Sequence, residues 1–153
     1  MPEHGERSTE DGIRERVAAS SFHASIGITV EQVREGSVDL RLDAGPDHAN
    51  LQGTVHGGVL ATLLDTAAGL AVRSAIPPGS RHVSVNLDVQ YLEPANTGTL
   101  LATGRVVRMG RRIAFAEADV TDAGGAMLAR AQVTIAVSQP PVDEADDEAV
   151  GDQ

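Results

Sequence analysis

The sequence predicts an α+β domain in which an antiparallel sheet wraps around one long central helix. Two observations carry the helix. From Val59 to Ile76 the apolar residues form no stripe but point all round the helical wheel, Leu60, Leu63, Ala67, Leu70 and Val72 among them. A helix apolar on every side is buried. The stretch is also too short, and too broken by Asp65 and Arg73, to read as a membrane span. A third observation carries the sheet. Around the helix, alternating apolar and polar runs are separated by glycine-rich turns, in the order β-β-α-β-β-β-β.

Residues 1–9 are polar and read as disordered. Residues 10–24 allow one short amphipathic helix with Ile13, Val17 and Phe22 inward. Ile28, Val30, Val33, Val38, Leu40 and Leu42 mark two strands, with Glu35-Gly36 as the turn of a hairpin. Residues 44–56, AGPDHANLQGTVH, form a loop that brings Asn50 and His56 to the start of the helix. Ile76-Pro77-Pro78-Gly79 stops the helix. In HVSVNLDVQYL, Val83, Val85, Leu87, Val89 and Tyr91 take one face and Ser84, Asn86, Asp88 and Gln90 the other, a half-buried strand. Three more strands follow, at about 99–109, 111–122 and 126–138, joined by tight turns at Gly110 and at Asp122-Ala123-Gly124-Gly125. Ala114, Ala116 and Ala118 alternate on the middle one and are small enough for the sheet to close on the helix. Residues 10–138 therefore form one domain, and 139–153 read as an acidic, disordered tail.

The net charge is −10; residues 139–153 hold six acids and no base, and the rest sets 12 Arg against 16 acids, so the two parts supply −6 and −4. Such a chain is a poor candidate for general nucleic-acid binding. Every basic residue is Arg and none is Lys, which fits GC-rich codon usage and adaptation to salt alike. There is no cysteine, which excludes a disulfide framework and a thiol nucleophile. Five scattered His lack any HExxH or HxH spacing, so neither a metal nor another cofactor is expected. The start MPEHGERSTEDG lacks the apolar core of a signal peptide. With no membrane span, the expectation is a soluble cytoplasmic protein.

One carboxylate, Asp65, lies inside the apolar helix. It reads either as a structural Asp bonded to a neighbouring hydroxyl or as part of a site. Gly57 and Gly58 open the helix, so its free N–H groups can be approached closely and favour a developing oxyanion. Asn50 and His56 lie just before it. A carboxylate, an open helix N-terminus and a carboxamide are the parts of a hydrolytic site for an acyl group. His56 reads equally as a plain N-terminal cap or as a holder of the carbonyl; His48 reads as a surface residue. Gly57 and Asp65 are about 12 Å apart along the helix, so one reacting carbonyl cannot touch both. Two antiparallel helices from two chains would solve this, giving a two-fold dimer with two composite sites. With Phe22, Tyr91 and Phe115 as the only aromatics, an acyl pocket would be largely aliphatic. No Ser–His spacing supports a nucleophilic triad.

The pattern N-x-x-G-x-x-H-G-G-x-x-x-x-x-x-D, made by Asn50, Gly53, His56, Gly57, Gly58 and Asp65, resembles the signature of hotdog-fold acyl-CoA thioesterases of the phenylacetate-pathway (PaaI-type) branch. The likeness runs over about residues 20–138 and includes HVSVNLDVQYLEPA and RMGRRIAFAEADVTD. It implies the hotdog fold and hydrolysis of an aryl- or medium-chain acyl-CoA to free acid and CoA; since exposed faces of the joined sheets could pair further, a homodimer and a tetramer made as a dimer of dimers both stay open. It further implies that Asp65 activates water or attacks the thioester directly. The Gly57 N–H and the Asn50 side chain would polarise the carbonyl, and Ser84 would help position the water. Arg108, Arg111 and Arg112 around Gly110 are either a solvated turn or holders of the CoA phosphates, with Arg81 and His82 as weaker candidates. Two other readings stand beside this one. A hotdog hydratase or dehydratase would pair its acid with a His in a different motif. A non-catalytic acyl-CoA-binding module would leave Asp65 without a purpose.

Overall fold

A computed structural model describes residues 9–140. The disorder expected at both ends falls outside these residues, except that Thr9 opens the first helix and Gln139 and Pro140 follow the last strand. The elements are α1 (Thr9–Ala19), α2 (Ser21–Ile26), β1 (Thr29–Arg34), β2 (Ser37–Ala44), α3 (Gly57–Ala75), β3 (Arg81–Tyr91), β4 (Gly98–Met109), β5 (Ile113–Asp122) and β6 (Met127–Ser138), with a 3₁₀ turn at Pro46–His48. The six strands form one sheet in the order β1-β2-β4-β5-β6-β3, and every neighbouring pair is antiparallel. This is the expected hotdog arrangement, with α3 packed against the sheet.

The N-terminal segment departs from expectation. It is two helices, not one, because the Ser20 side chain accepts the His23 N–H and starts a new helix. Ile13 and Val17 are buried at 1% and 5% exposure, but the break turns Phe22 outward to 57%. The hairpin turn lies where expected, with Gly36 at φ 79°, a conformation that glycine adopts without strain.

Leu60, Leu63, Leu64, Ala67, Ala68 and Val72 bury one side of α3 against Val38, Leu40, Ala102, Val120 and Ile135 of the sheet. The opposite side, with Thr62, Asp65, Thr66 and Leu70, is only half-buried by this chain. At 19 residues α3 has the length and composition of a membrane span, contrary to the expectation that it is too short, but the sheet packed on it makes it a core helix. The close approach depends on small residues. Ala114, Ala116 and Ala118 are fully covered, and a Cβ on Gly104 of β4 would stand 2.1 Å from the Ala67 carbonyl oxygen. Gly104→Ala should therefore destabilise the fold by about 3 kcal/mol, the upper end for overpacking. The measurement is the urea midpoint at unchanged m-value. A loss below about 1 kcal/mol would mean that α3 lifts from the sheet at little cost.

Strand β3 carries the main correction. Its alternation is interrupted between Ser84 and Asn86, where Val85 is an extra residue against β6. A bulge shifts the parity of the pleat. Ser84 therefore pairs with the buried Ile135, while Leu87 and Val89 pair with Val133 and Ala131. Ser84 thus shares the helix-facing side with Leu87, Val89 and Tyr91, not the opposite side. Val83 and Val85 are left exposed at 62% and 57% on what is an edge strand.

Candidate active site

A four-residue step on a helix is about 6 Å and a two-residue step on a strand about 6.7 Å, so the two can run side by side in register. Along α3 the positions Asp65, Gly69 and Arg73 run beside Ser84, His82 and Ser80. The Ser84 hydroxyl donates to Asp65 Oδ1 at 2.7 Å. The His82 ring lies over Gly69, its Cε1 3.6 Å from where a Cβ would be. The Arg73 guanidinium donates to the Ser80 carbonyl. Asp65 is half-buried in this chain, not enclosed. Its Oδ2 accepts from no described residue.

His82 faces α3. Burial pushes its imidazole below the ordinary histidine value, and the charges of Arg73 and Arg16 act in the same direction; Asp65 opposes them more weakly. Near pH 7 His82 is therefore neutral.

The start of α3 is built by the loop before it. His56 is the N-cap, and its Nδ1 accepts the Gly58 N–H at 2.8 Å. With Nδ1 accepting, the ring hydrogen is carried by Nε2. The capping reading is thus seen directly, and it leaves Nε2–H available to a ligand. The N–H of Gly57, the first helical residue, has no acceptor within the helix. Tyr91 covers Gly57 from β3: its hydroxyl donates to the Gly57 carbonyl at 3.0 Å, and its ring lies 3.3 Å from a Cβ position on Gly57. Strand alternation alone could not show this contact, because the bulge reverses the side on which Tyr91 meets Ser84.

Asn50 shapes its own loop. Its Oδ1 accepts the N–H groups of Gln52 and Thr54 at 2.9 and 3.2 Å, and its Nδ2 donates one hydrogen to Thr54 Oγ1 at 2.9 Å. The second Nδ2 hydrogen is not taken by Thr54. Gly57 and Asp65 lie on one uninterrupted helix, so their separation of about 12 Å stands.

Arg108 is the last residue but one of β4, and Arg111 and Arg112 form the turn into β5; all three are exposed, and no described acid pairs with them. Arg111 and Arg112 line a surface groove with Ile113, Val137 and Ser138. The Val137 N–H donates to the Arg112 carbonyl at 2.8 Å, and Val137 pairs with His82. The turn is therefore two strand spacings, about 10 Å, from the row of His82. Among the described residues no three His, Asp or Glu converge as a metal site.

A family model described as the thioesterase superfamily matches residues 52–129. A candidate esterase of Halobacterium salinarum is 44% identical over 100 residues, covering 62% of this chain and 66% of that protein. Human acyl-coenzyme A thioesterase 13 is 30% identical over 131 residues, covering 84% of this chain and 93% of that protein. The solved structure of the E. coli PaaI protein, from the phenylacetic acid degradation operon, matches with a TM-score of 0.80 over 87% of this chain and 95% of that one; at 20% identity this is a likeness of fold.

Proposed function

This chain belongs to the thioesterase superfamily and is a thioester hydrolase of the hotdog fold, and from that premise we propose that it hydrolyses aryl- or medium-chain acyl-CoA to free acid and CoA. The observation that carries the proposal is the bond from Ser84 to Asp65 Oδ1, which leaves Oδ2 to take a proton. The Ser84 hydroxyl donates to the carboxylate, so its lone pairs can accept from a water and hold it there. Asp65 removes a proton from that water as general base. The hydroxide attacks the thioester carbon, and the oxyanion that forms is met by the Gly57 N–H and the remaining Asn50 Nδ2 hydrogen of a second chain. Loss of one such donor costs about 10²–10³ in rate. The carbonyl then reforms, the C–S bond breaks, and the proton on Asp65 passes to the departing thiolate. Tyr91, 55% exposed beside Gly57, offers a ring face to an aryl acyl group.

Three features support a homodimer with shared sites. Gly57 and Asp65 are too far apart for one carbonyl. One side of α3 is only half-buried in the chain. β3 is an 11-residue edge strand, and open edges of that length are covered in stable proteins. A second pairing through the outer sheet face, where Val107 and Phe115 are exposed, would give the tetramer.

Arg111 and Arg112 are assigned to the CoA phosphates together with Arg108. Replacing both Arg111 and Arg112 by Ala should raise KM about tenfold or more for CoA esters and leave small thioesters without the nucleotide unaffected, since a hydrogen bond to a charged group contributes about 1.5–3 kcal/mol. Equal effects on both substrate classes would exclude this role. The proposal as a whole is tested with a panel of acyl-CoAs and a thiol reagent. Free thiol is expected. A change at a substrate double bond would make the protein a hydratase, and binding without either product would make it a carrier or sensor.

A further inference from the structure

The structure assigns His48 as a positioning residue for the carbonyl-binding end of this site, an inference that rests on the hydrolase reading above. His48 was expected at the surface, but it is half-buried and bonded on three sides. Its Nδ1 accepts the Gly45 N–H at 3.0 Å. With Nδ1 accepting, the ring hydrogen is carried by Nε2, which donates to the Ile26 carbonyl at 2.5 Å. Ile26 is the last residue of α2, so this carbonyl is one of the acceptors that a helix end leaves open. The His48 carbonyl in turn accepts the His56 N–H at 2.8 Å. Side chain and main chain of one residue thus join the end of α2 to the N-cap of α3.

The positions of Asn50 and of the His56 cap follow from this clamp. Among the described residues, two hydrogen bonds tie the loop 45–56 to elements other than the helix it enters: His48 to Ile26, and the Val55 N–H to the Ala95 carbonyl. The rest of the loop is held by bonds within itself, as at Asn50 and Thr54. Removal of the His48 tie frees Asn50 and the His56 cap to shift together, while Gly57, held within α3 and by the Tyr91 hydroxyl, stays fixed with Asp65 and Ser84. A displacement of about 1 Å between two halves of a catalytic site can cost on the order of 10²-fold.

The test compares His48→Ala, His48→Asn and His48→Gln in the full chain. The Asn oxygen can replace Nδ1 toward Gly45, and the Gln amide nitrogen can replace Nε2 toward Ile26. For His48→Ala, kcat per folded protein is expected to fall about 10- to 100-fold, with KM changed less than about threefold. His48→Gln should recover most of the rate and His48→Asn little of it. Amide hydrogen exchange supplies a readout that needs no activity: exchange at Asn50 and His56 should speed up in His48→Ala, with Leu63 and Leu64 in the core of α3 unchanged. Unchanged kcat in His48→Ala would overturn the assignment. So would equal loss of protection at Leu63 and Leu64, which would mark a general loss of stability. If the wild type released no thiol, the hydrolase reading would fail by itself, and the exchange pattern would still decide whether His48 holds the loop.

Discussion

Asp65→Asn is expected to lower kcat by about 10²–10⁴-fold, the contribution typical of a general base. The amide keeps an oxygen in the place of Oδ1, so the Ser84 hydroxyl retains its acceptor and the fold should hold or gain stability. KM should change little, because the lost group acts on the water and not on the CoA. Near-normal turnover in this variant would remove Asp65 from the mechanism. Isotope labelling separates its two chemical roles. In a single turnover in ¹⁸O water, a general base puts the solvent oxygen into the product acid. Direct attack by the carboxylate would form a mixed anhydride, and water that opens it at the Asp65 carbonyl puts the label into Asp65, with an unlabelled acid released; label found in Asp65 is therefore the mark of direct attack. The free Oδ2 beside a hydroxyl able to hold water favours the first outcome.

A mixture of Asn50→Ala and Asp65→Asn chains is expected to recover activity that neither variant has alone. Within one α3, the carbonyl donor Gly57 and the acid Asp65 are about 12 Å apart. If each site takes its donors from one chain and its acid from the other, a mixed dimer holds both lesions in one site and none in the other. Random mixing makes half of the dimers mixed, so about a quarter of all sites are intact after co-refolding. Recovery to about a quarter of wild-type activity is the expected result. Recovery no better than the mean of the parents, with mixed dimers confirmed by mass, would show that each site is built within one chain. Asn50 also bonds Thr54 and Gln52, so the Asn50→Ala parent must be shown by its amide-exchange pattern to keep the α3 N-terminus. Gly57→Ala, which presses on the Tyr91 ring, serves as a second donor-side variant.

By itself the sequence determined the features that local periodicity and local chemistry control. Apolar residues all round 59–76 meant a core helix, the alternations meant strands, and Gly36 and the proline pair after Ile76 placed the turns. The motif from Asn50 to Asp65 lay within one continuous segment, so its spacing could be read without a structure. Only the tertiary structure decided which faces meet. The bulge at Val85 exists because β3 pairs with β6, more than forty residues further along the chain, and no local pattern records that register. It brings Ser84 onto Asp65 and Tyr91 onto Gly57. The same holds for His48, whose partner Ile26 is 22 residues away, and for Phe22, turned outward by the Ser20 cap. Hydrophobic period reports how one element divides between core and solvent, whereas hydrogen bonds between elements depend on register and bulges set by distant pairing.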